Sequence, residues 1–271
     1  MPIAVTTRAA DLAFATALAE RAGDLLVERF EKVERIDFKS AKDVVTEVDH
    51  LSEELIISAI RATYPTDGII AEESGEHVSG AGDAPTAGVG RAWVIDPLDG
   101  TINYANGIPF FCVAIALVEA GRPIVGIIRD PIRGETFAAT DNGPATLDGR
   151  PIGASVKTEL TDYVVSMALS GRALMPRARA LRKQIRVPRS MGSAALALAY
   201  VGNGRFDAFI QQGGLSSWDV AAAGLIAERG GATLTDLEGG PWFDLSRPTR
   251  TIGVLGAPAR HHAELLQLVR G

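Results

Sequence analysis

The stretch from Ala92 to Thr101 limits what this chain can fold into more than any other. Ala92-Trp93-Val94-Ile95 is an apolar run of strand character that ends directly in Asp96-Pro97-Leu98-Asp99-Gly100-Thr101. A strand therefore delivers two carboxylates three positions apart, with Pro97 fixing the backbone between them. Gly100 removes bulk where a ligand could approach the main chain, and the residues after it can start a helix whose free N–H groups face an anion. Asp, Pro and Gly are also ordinary β-turn residues, so this string alone does not define a site. A second acidic pair, Glu72-Glu73, follows the apolar run from Gly68 to Ala71, and Asp219 follows Trp218 at the start of a helical pattern. Such carboxylates suit a hard divalent ion such as magnesium, which takes oxygen ligands and keeps waters. No His and Cys cluster competes as a zinc site.

With 271 residues, 46% hydrophobic and 22% charged, the chain can bury a large core as one domain or as two sharing a cleft. Helical periodicity covers Arg8 to Phe30 and Leu51 to Thr63, with an irregular segment from Lys39 to Asp49 between them. Gly and Pro make Ser74 to Gly90 a surface loop, the least ordered internal segment expected. Runs at Cys112 to Val118, Ile124 to Ile128 and Thr136 to Ala139 read as an antiparallel meander. Turn signals at 141–144 and 148–149 place a boundary near residue 150. An N-terminal α+β lobe, 1–150, would carry most metal ligands, and a C-terminal α/β lobe, 151–271, would supply substrate contacts and Asp219. In that second lobe, strands at Val164 to Ala168, Asp207 to Gln211, Ala232 to Thr235 and Gly253 to Ala257 alternate with helices. Those helices lie near 177–185, from Gly192 to Val201, from a Ser217 cap to Glu228, and from Pro258 onward.

Lys plus Arg is 27 and Asp plus Glu is 33, a net charge of −6, which disfavours broad attraction to nucleic acid or an anionic membrane. Bound divalent cations can reverse the sign locally in an acidic cleft. The single cysteine, Cys112, sits in an apolar run and reads as a buried structural thiol in a reducing compartment. Acids within the first helical pattern argue against a signal peptide, and no apolar run is long enough to span a bilayer, so a cytoplasmic protein is expected. His50, His77, His261 and His262 are scattered and read as solvated or locally bonded. The basic residues from Arg172 to Arg189 read as a solvated helix face, with Arg189 the candidate exception. Ser190 and Ser193 lack a triad and read as caps or backbone contacts to substrate.

Glu72-Glu73-Ser74, Asp96-Pro97-Leu98-Asp99-Gly100-Thr101 with Asn103, and Trp218-Asp219-Val220-Ala221-Ala222-Ala223-Gly224 closely resemble three ordered motifs of the inositol monophosphatase family. The likeness extends to Lys39 to Asp49 and to Arg189 through Ala195, so it spans nearly the whole chain. It implies a layered αβαβα sandwich of the inositol monophosphatase and fructose-1,6-bisphosphatase type, in a homodimer. It also implies a lithium-sensitive phosphoric monoester hydrolase using roughly two to three magnesium ions per site. By position, Glu72, Asp96 and the Leu98 carbonyl would hold the activating ion. Asp96, Asp99 and Asp219 would hold a second, with Glu72 assisting a third. Thr101 paired with Asp49 would orient and help deprotonate the attacking water, while Lys39, Glu73 and Arg189 support the site. Substrate would meet Asp99, Gly100, Thr101, Gly192, Ser193, Ala194, Gln212 and Asp219. A divalent ion lowers the pKa of water and stabilises the charge of an in-line displacement, which fits this set independently. A phosphothreonine at Thr101 is disfavoured, since no neighbouring His offers a base in sequence.

Counting seven residues back from Asp219 gives Gln212 where inositol phosphatases commonly carry Glu, and Ala71 stands where glycine often precedes the acidic pair. Gln adds donors and removes the charge, which leaves the substrate open. Inositol 1-phosphate leads, histidinol phosphate is the rival, and a 3′,5′-bisphosphate nucleotidase or fructose-1,6-bisphosphatase is the second enzymatic reading. A regulatory binding protein that keeps the fold is the non-enzymatic alternative.

Overall fold

Residues 7–33, 35–40, 43–77, 90–169, 172 and 174–271 are described from a computed structural model. The expectation of disorder across 74–90 falls largely outside them, as do the side chains of Lys39 and His77. Helix α1 (Arg8–Arg29) starts at Thr7, whose side chain accepts from the Ala10 N–H, and turns Ala15, Leu18, Ala19, Ala22 and Leu26 to one buried face. The expected irregular segment is instead a hairpin of β1 (Ile36–Ser40) and β2 (Asp43–Thr46), which runs into α2 (Glu47–Thr63). The β-branched Val44, Val45 and Thr46 favour that strand over a loop.

Strands β3 (Gly68–Ala71), β4 (Gly75–His77), β5 (Arg91–Asp99), β6 (Cys112–Glu119), β7 (Arg122–Asp130), β8 (Glu135–Thr140), β9 (Thr146–Leu147) and β10 (Arg150–Pro151) form one sheet. Its order is β10-β9-β8-β7-β6-β5-β3-β4. The expected meander is its antiparallel β6, β7 and β8. Alternate residues of β5 serve opposite faces. Trp93 and Ile95 join the core with α1 and α2, and Val94 joins the core on the other side. Burial on both faces explains why these strands read as unbroken apolar runs.

The second face is covered by α5 (Ala194–Gly202) and α6 (Ser217–Arg229), apolar nearly all round and therefore buried between layers. Beyond them lies a second sheet, order β12-β11-β13-β15-β14, of β11 (Val164–Ala168), β12 (Val187–Arg189), β13 (Ala208–Leu215), β14 (Ala232–Thr235) and β15 (Ile252–Pro258). Helices α4 (Met175–Gln184) and α7 (Ala259–Arg270) close its outer face over Tyr163, Val165, Leu181, Leu255 and Leu265. The layers run helix, sheet, helix, sheet, helix, the sandwich anticipated from the motifs. None of the helices among the described residues is long and apolar enough to cross a membrane.

Strand β5 is fixed at its start by a charged network. The Arg91 guanidinium donates to both carboxylate oxygens of buried Asp11 on α1, at 3.2 and 3.1 Å, and to Asp67 at 3.2 Å. Trp93 Nε1 donates to the same Asp67 at 3.1 Å. Burial and Asp11 push the neighbouring Tyr64 hydroxyl up to about 12, so it stays protonated. Removing one partner of a buried pair leaves the other uncompensated, so Asp11→Ala should lower unfolding free energy by about 3–5 kcal/mol. Urea denaturation checks this, and a loss within error of zero would show that the network does not anchor β5.

Candidate active site

Parallel pairing of β3 with β5 sets Ala71 opposite Ile95. The next residues, Glu72 and Asp96, therefore lie side by side where β3 ends, and the Glu72 N–H continues the pairing to Ile95 O at 3.2 Å. Past Asp96 the register of β5 against β6 shifts, as Pro97 lacks the N–H that regular pairing would use. The Leu98 N–H turns back to Asp96 Oδ1 at 3.0 Å, and the Leu98 carbonyl accepts from the Thr101 hydroxyl at 3.1 Å. Gly100 lies at φ 98°, and a Cβ there would come within 3.2 Å of the Phe110 carbonyl and the Ser193 side chain. The bulk absent at Gly100 thus makes room for protein on its Cβ side. The helix that follows, α3 (Thr101–Ala105), is only five residues long.

Asp99 reaches the N-terminus of α5. Its carboxylate accepts from the Ser193 hydroxyl, from the Ala195 N–H at 2.8 Å and from the Ala194 N–H at 3.3 Å. Ser193 is also the N-cap of α5, the capping role foreseen for it. Asp49 is the third residue of a capping box on α2. Its Oδ2 accepts from the Thr46 N–H at 2.8 Å and the Thr46 hydroxyl at 2.6 Å, which leaves Oδ1 to take the Thr101 hydroxyl at 2.9 Å. Asp219 holds the same place on α6, accepting from the Ser216 N–H at 2.5 Å. The cap is therefore Ser216, one residue before the expected Ser217, because the box needs its acid three places after the cap.

Asp96, Asp99 and Asp219 each offer an oxygen, and these atoms lie within 4.8 Å of one another. Burial first, then Glu72, Asp99 and Asp219, hold the Asp96 carboxyl well above the usual carboxylate range. Burial and the charges of Asp99 and Glu72 do the same to Asp219. Asp99 is raised by burial against the pull of its Ser193 and α5 hydrogen bonds. An all-oxygen donor set crowded enough to repel itself is one that a hard divalent cation would satisfy. No comparable His or Cys set occurs among the described residues.

These acids line a cavity of about 340 Å³ together with Glu72, Leu98, Gly100, Thr101, Gly192, Ser193 and Ala194. Four predicted groups stand outside it, Asp49 among them, which reaches it through Thr101. The Glu73 N–H donates to Glu53 at 2.9 Å, Arg189 is exposed with its guanidinium on its neighbour's carbonyl, and Gln212 is exposed. It is Gln211 that lines the cavity. Counting back from Asp219 assumes a regular strand, but Gly213 and Gly214 both take positive φ and break the register of β13 against β15 after Gln211. Sequence reading also passed over Ser166, Gly214, Ser216 and Arg250, which line the cavity. Only Ser216 carried a local signal, its spacing from Asp219.

Other features keep their plain roles. Cys112 is fully buried, its thiol pushed well up by burial and by Asp99. His261 bonds Thr158 and Glu264, and His262 bonds Thr235. Helix α4 turns Arg179, Arg182 and Lys183 to solvent.

Layered fold and acidic cavity together define a metal-dependent phosphatase of the αβαβα class. Residues 8–271 match the inositol monophosphatase family, and the chain belongs to it. It is 38% identical over 238 residues to the Nus factor SuhB of Pseudomonas aeruginosa, covering 83% of this chain and 84% of that protein. It is 34% identical over 233 residues to a fructose-1,6-bisphosphatase/inositol-1-monophosphatase of Thermotoga maritima, covering 84% and 85%. Among solved structures, the extragenic suppressor protein suhB of Bartonella henselae superposes with a TM-score of 0.86 at 30% identity, covering 96% of this chain and 98% of that one. An IMPase of Thermotoga maritima gives 0.84 at 31% identity, covering 96% of each.

The buried acids bind protons more tightly folded than unfolded, where an Asp carboxyl titrates near about 4. Stability of the metal-free protein should therefore fall as pH rises from that value through the folded-state pKa values. Magnesium at 100 times its Kd should return about 2.7 kcal/mol at neutral pH. Asp96→Asn, with one charge fewer, should melt higher than wild type without metal and lose most of the magnesium increment. Thermal melts with and without magnesium check both, and a wild-type melting temperature indifferent to the ion would contradict the assignment.

Proposed function

We propose that the chain is a magnesium-dependent hydrolase of small phosphate monoesters, with inositol 1-phosphate the leading substrate. The carrying observation is the convergence of Asp96, Asp99 and Asp219 beside Glu72 in one cavity. Glu72, Asp96 and the Leu98 carbonyl would hold one ion and Asp96, Asp99 and Asp219 another, within a total of roughly two to three. When bound, these ions supply Lewis-acid stabilisation of the phosphoryl oxygens and acidify water.

The chain's own groups do the rest. With the Thr101 hydroxyl donating its hydrogen bond to Asp49 Oδ1, its oxygen can accept a hydrogen bond from the attacking water and fix the line of attack. Asp49 cannot swing away, because its other oxygen caps α2. It is therefore placed to draw a proton through the Thr101 hydroxyl as water attacks. Gly192, Ser193 and Ala194 present backbone at the mouth of α5, and Asp99, Gly100 and Asp219 border the same space. Lys39 and Glu73 would support the site. The reading includes a cytoplasmic location, in keeping with one buried free thiol, and the homodimer that the family likeness implies.

Purified protein should release phosphate from inositol 1-phosphate in a magnesium-dependent, lithium-inhibited reaction. Histidinol phosphate, fructose 1,6-bisphosphate and 3′,5′-bisphosphonucleosides complete the panel, and no turnover on any member would sink the reading. Thr101→Ala should cut kcat by about 10²–10⁴ with KM little changed. An unchanged kcat would remove Thr101 from the reaction.

The relatives named Nus factor support a second reading, a regulatory binding protein that keeps the fold. If the Asp96→Asn protein, inactive as a phosphatase, still restored the phenotype of cells lacking the gene, that reading would prevail.

A further inference from the structure

Strands β11 and β13 bound the catalytic cavity on the side of the second sheet. Their parallel pairing sets Ser166 beside Phe209 and Ala168 beside Gln211, and all four line the cavity. Residues two apart on a strand share a face, so the four make one stripe. Phe209 and Ser166 are its buried members, 2% and 5% exposed, while Gln211 is half-buried and Ala168 exposed. Ser166 is therefore the most buried polar side chain that the second sheet gives the cavity.

A buried hydroxyl ordinarily has a partner, because without one it has given up water for nothing. The other two buried serines of the cavity are engaged. Ser193 gives its hydroxyl to Asp99, and the Ser216 oxygen takes the Arg250 N–H at 3.0 Å. The Ser166 hydroxyl makes no hydrogen bond to any described residue, and it is not sealed in. Among the described residues, the polar side-chain atoms that are both sealed and unpartnered are Arg129 Nε and the Tyr163 hydroxyl. The open side of Ser166 is thus the cavity it lines.

Its place in the cavity indicates what would meet it. The ions and the phosphoryl group belong, on the proposed reading, with Glu72, Asp96, Asp99 and Asp219 and with the N-terminus of α5. The second sheet bounds the rest of the space, which sets the alcohol part of the ester against it. A serine hydroxyl both donates and accepts, so it suits another hydroxyl in either sense. A polar group placed for a substrate hydroxyl rejects an analogue without one, since it is then left unpaired.

We propose that Ser166 is a specificity-determining residue whose hydroxyl bonds a hydroxyl on the alcohol part of the ester. The inference rests on the cavity being a phosphatase site.

Ser166→Ala removes the oxygen and leaves the rest of the wall. No bond within the protein is lost, so its thermal unfolding midpoint should equal that of the wild type. A lower midpoint would assign the hydroxyl to the fold instead. Turnover is measured on inositol 1-phosphate and on cyclohexyl phosphate, the same ring without free hydroxyls. Calorimetric binding of both esters, with magnesium, is measured in the Thr101→Ala background. In Ser166→Ala the ratio of kcat/KM for inositol 1-phosphate over cyclohexyl phosphate should fall about three- to tenfold, chiefly through KM, and the ratio of affinities should fall with it. A ratio of affinities unchanged by the substitution would overturn the role of Ser166. Absence of magnesium-dependent turnover in the wild type would overturn the phosphatase reading instead, and the ratio of affinities would still decide for or against Ser166. Failure of both esters to bind would overturn both.

Discussion

The Asp99 carboxylate is the contact on which the other parts depend. It stands at the end of β5, in the first sheet, and takes the Ser193 hydroxyl and two amides at the N-terminus of α5, in the central layer. A carboxylate is well placed there, because the positive end of a helix dipole favours it. The same group faces Asp96 and Asp219 closely enough for one ion to touch all three. Fold and chemistry thus share one side chain, so the layers cannot separate without dismantling the cluster.

Asp49 and Asp219 repeat this economy. Each is the third residue of a capping box, and Asp49 has its remaining oxygen on Thr101. Helix starts serve well for this purpose, since the cap holds the acid without needing a cation nearby. The cost is mutual repulsion among buried carboxylates, the usual conflict between function and stability at a site. A bound cation would relieve it.

Much of this was legible in the sequence for identifiable reasons. Helices α1 and α2 have apolar faces at the helical period, and the strands are apolar runs bounded by turn residues, so their places follow from local pattern. The acids at 72 and 96 were legible because each follows an apolar run directly, and those at 99 and 219 through the motifs that hold them. What escaped depends on contacts between distant segments. The hairpin of β1 and β2 exists through pairing, and the choice of Gln211 over Gln212 follows from two glycines at positive φ. Arg250 precedes β15 in a polar stretch with no motif, and its main-chain bonds to Ser216 and Gly214 bring it to the cavity. The packing of Gly100 against Phe110 and Ser193 likewise required the partner segments to be in view.

The central claim is that Asp96, Asp99 and Asp219 converge to hold divalent cations at a phosphate-cleaving site. Crystals grown with manganese and inorganic phosphate, measured at the manganese absorption edge, test it directly. Anomalous peaks within ligand distance of those three carboxylates, about 2.0–2.3 Å, with phosphate oxygens completing the coordination, are the predicted result. A map with no peak among them, or with manganese bound only elsewhere, would contradict the account.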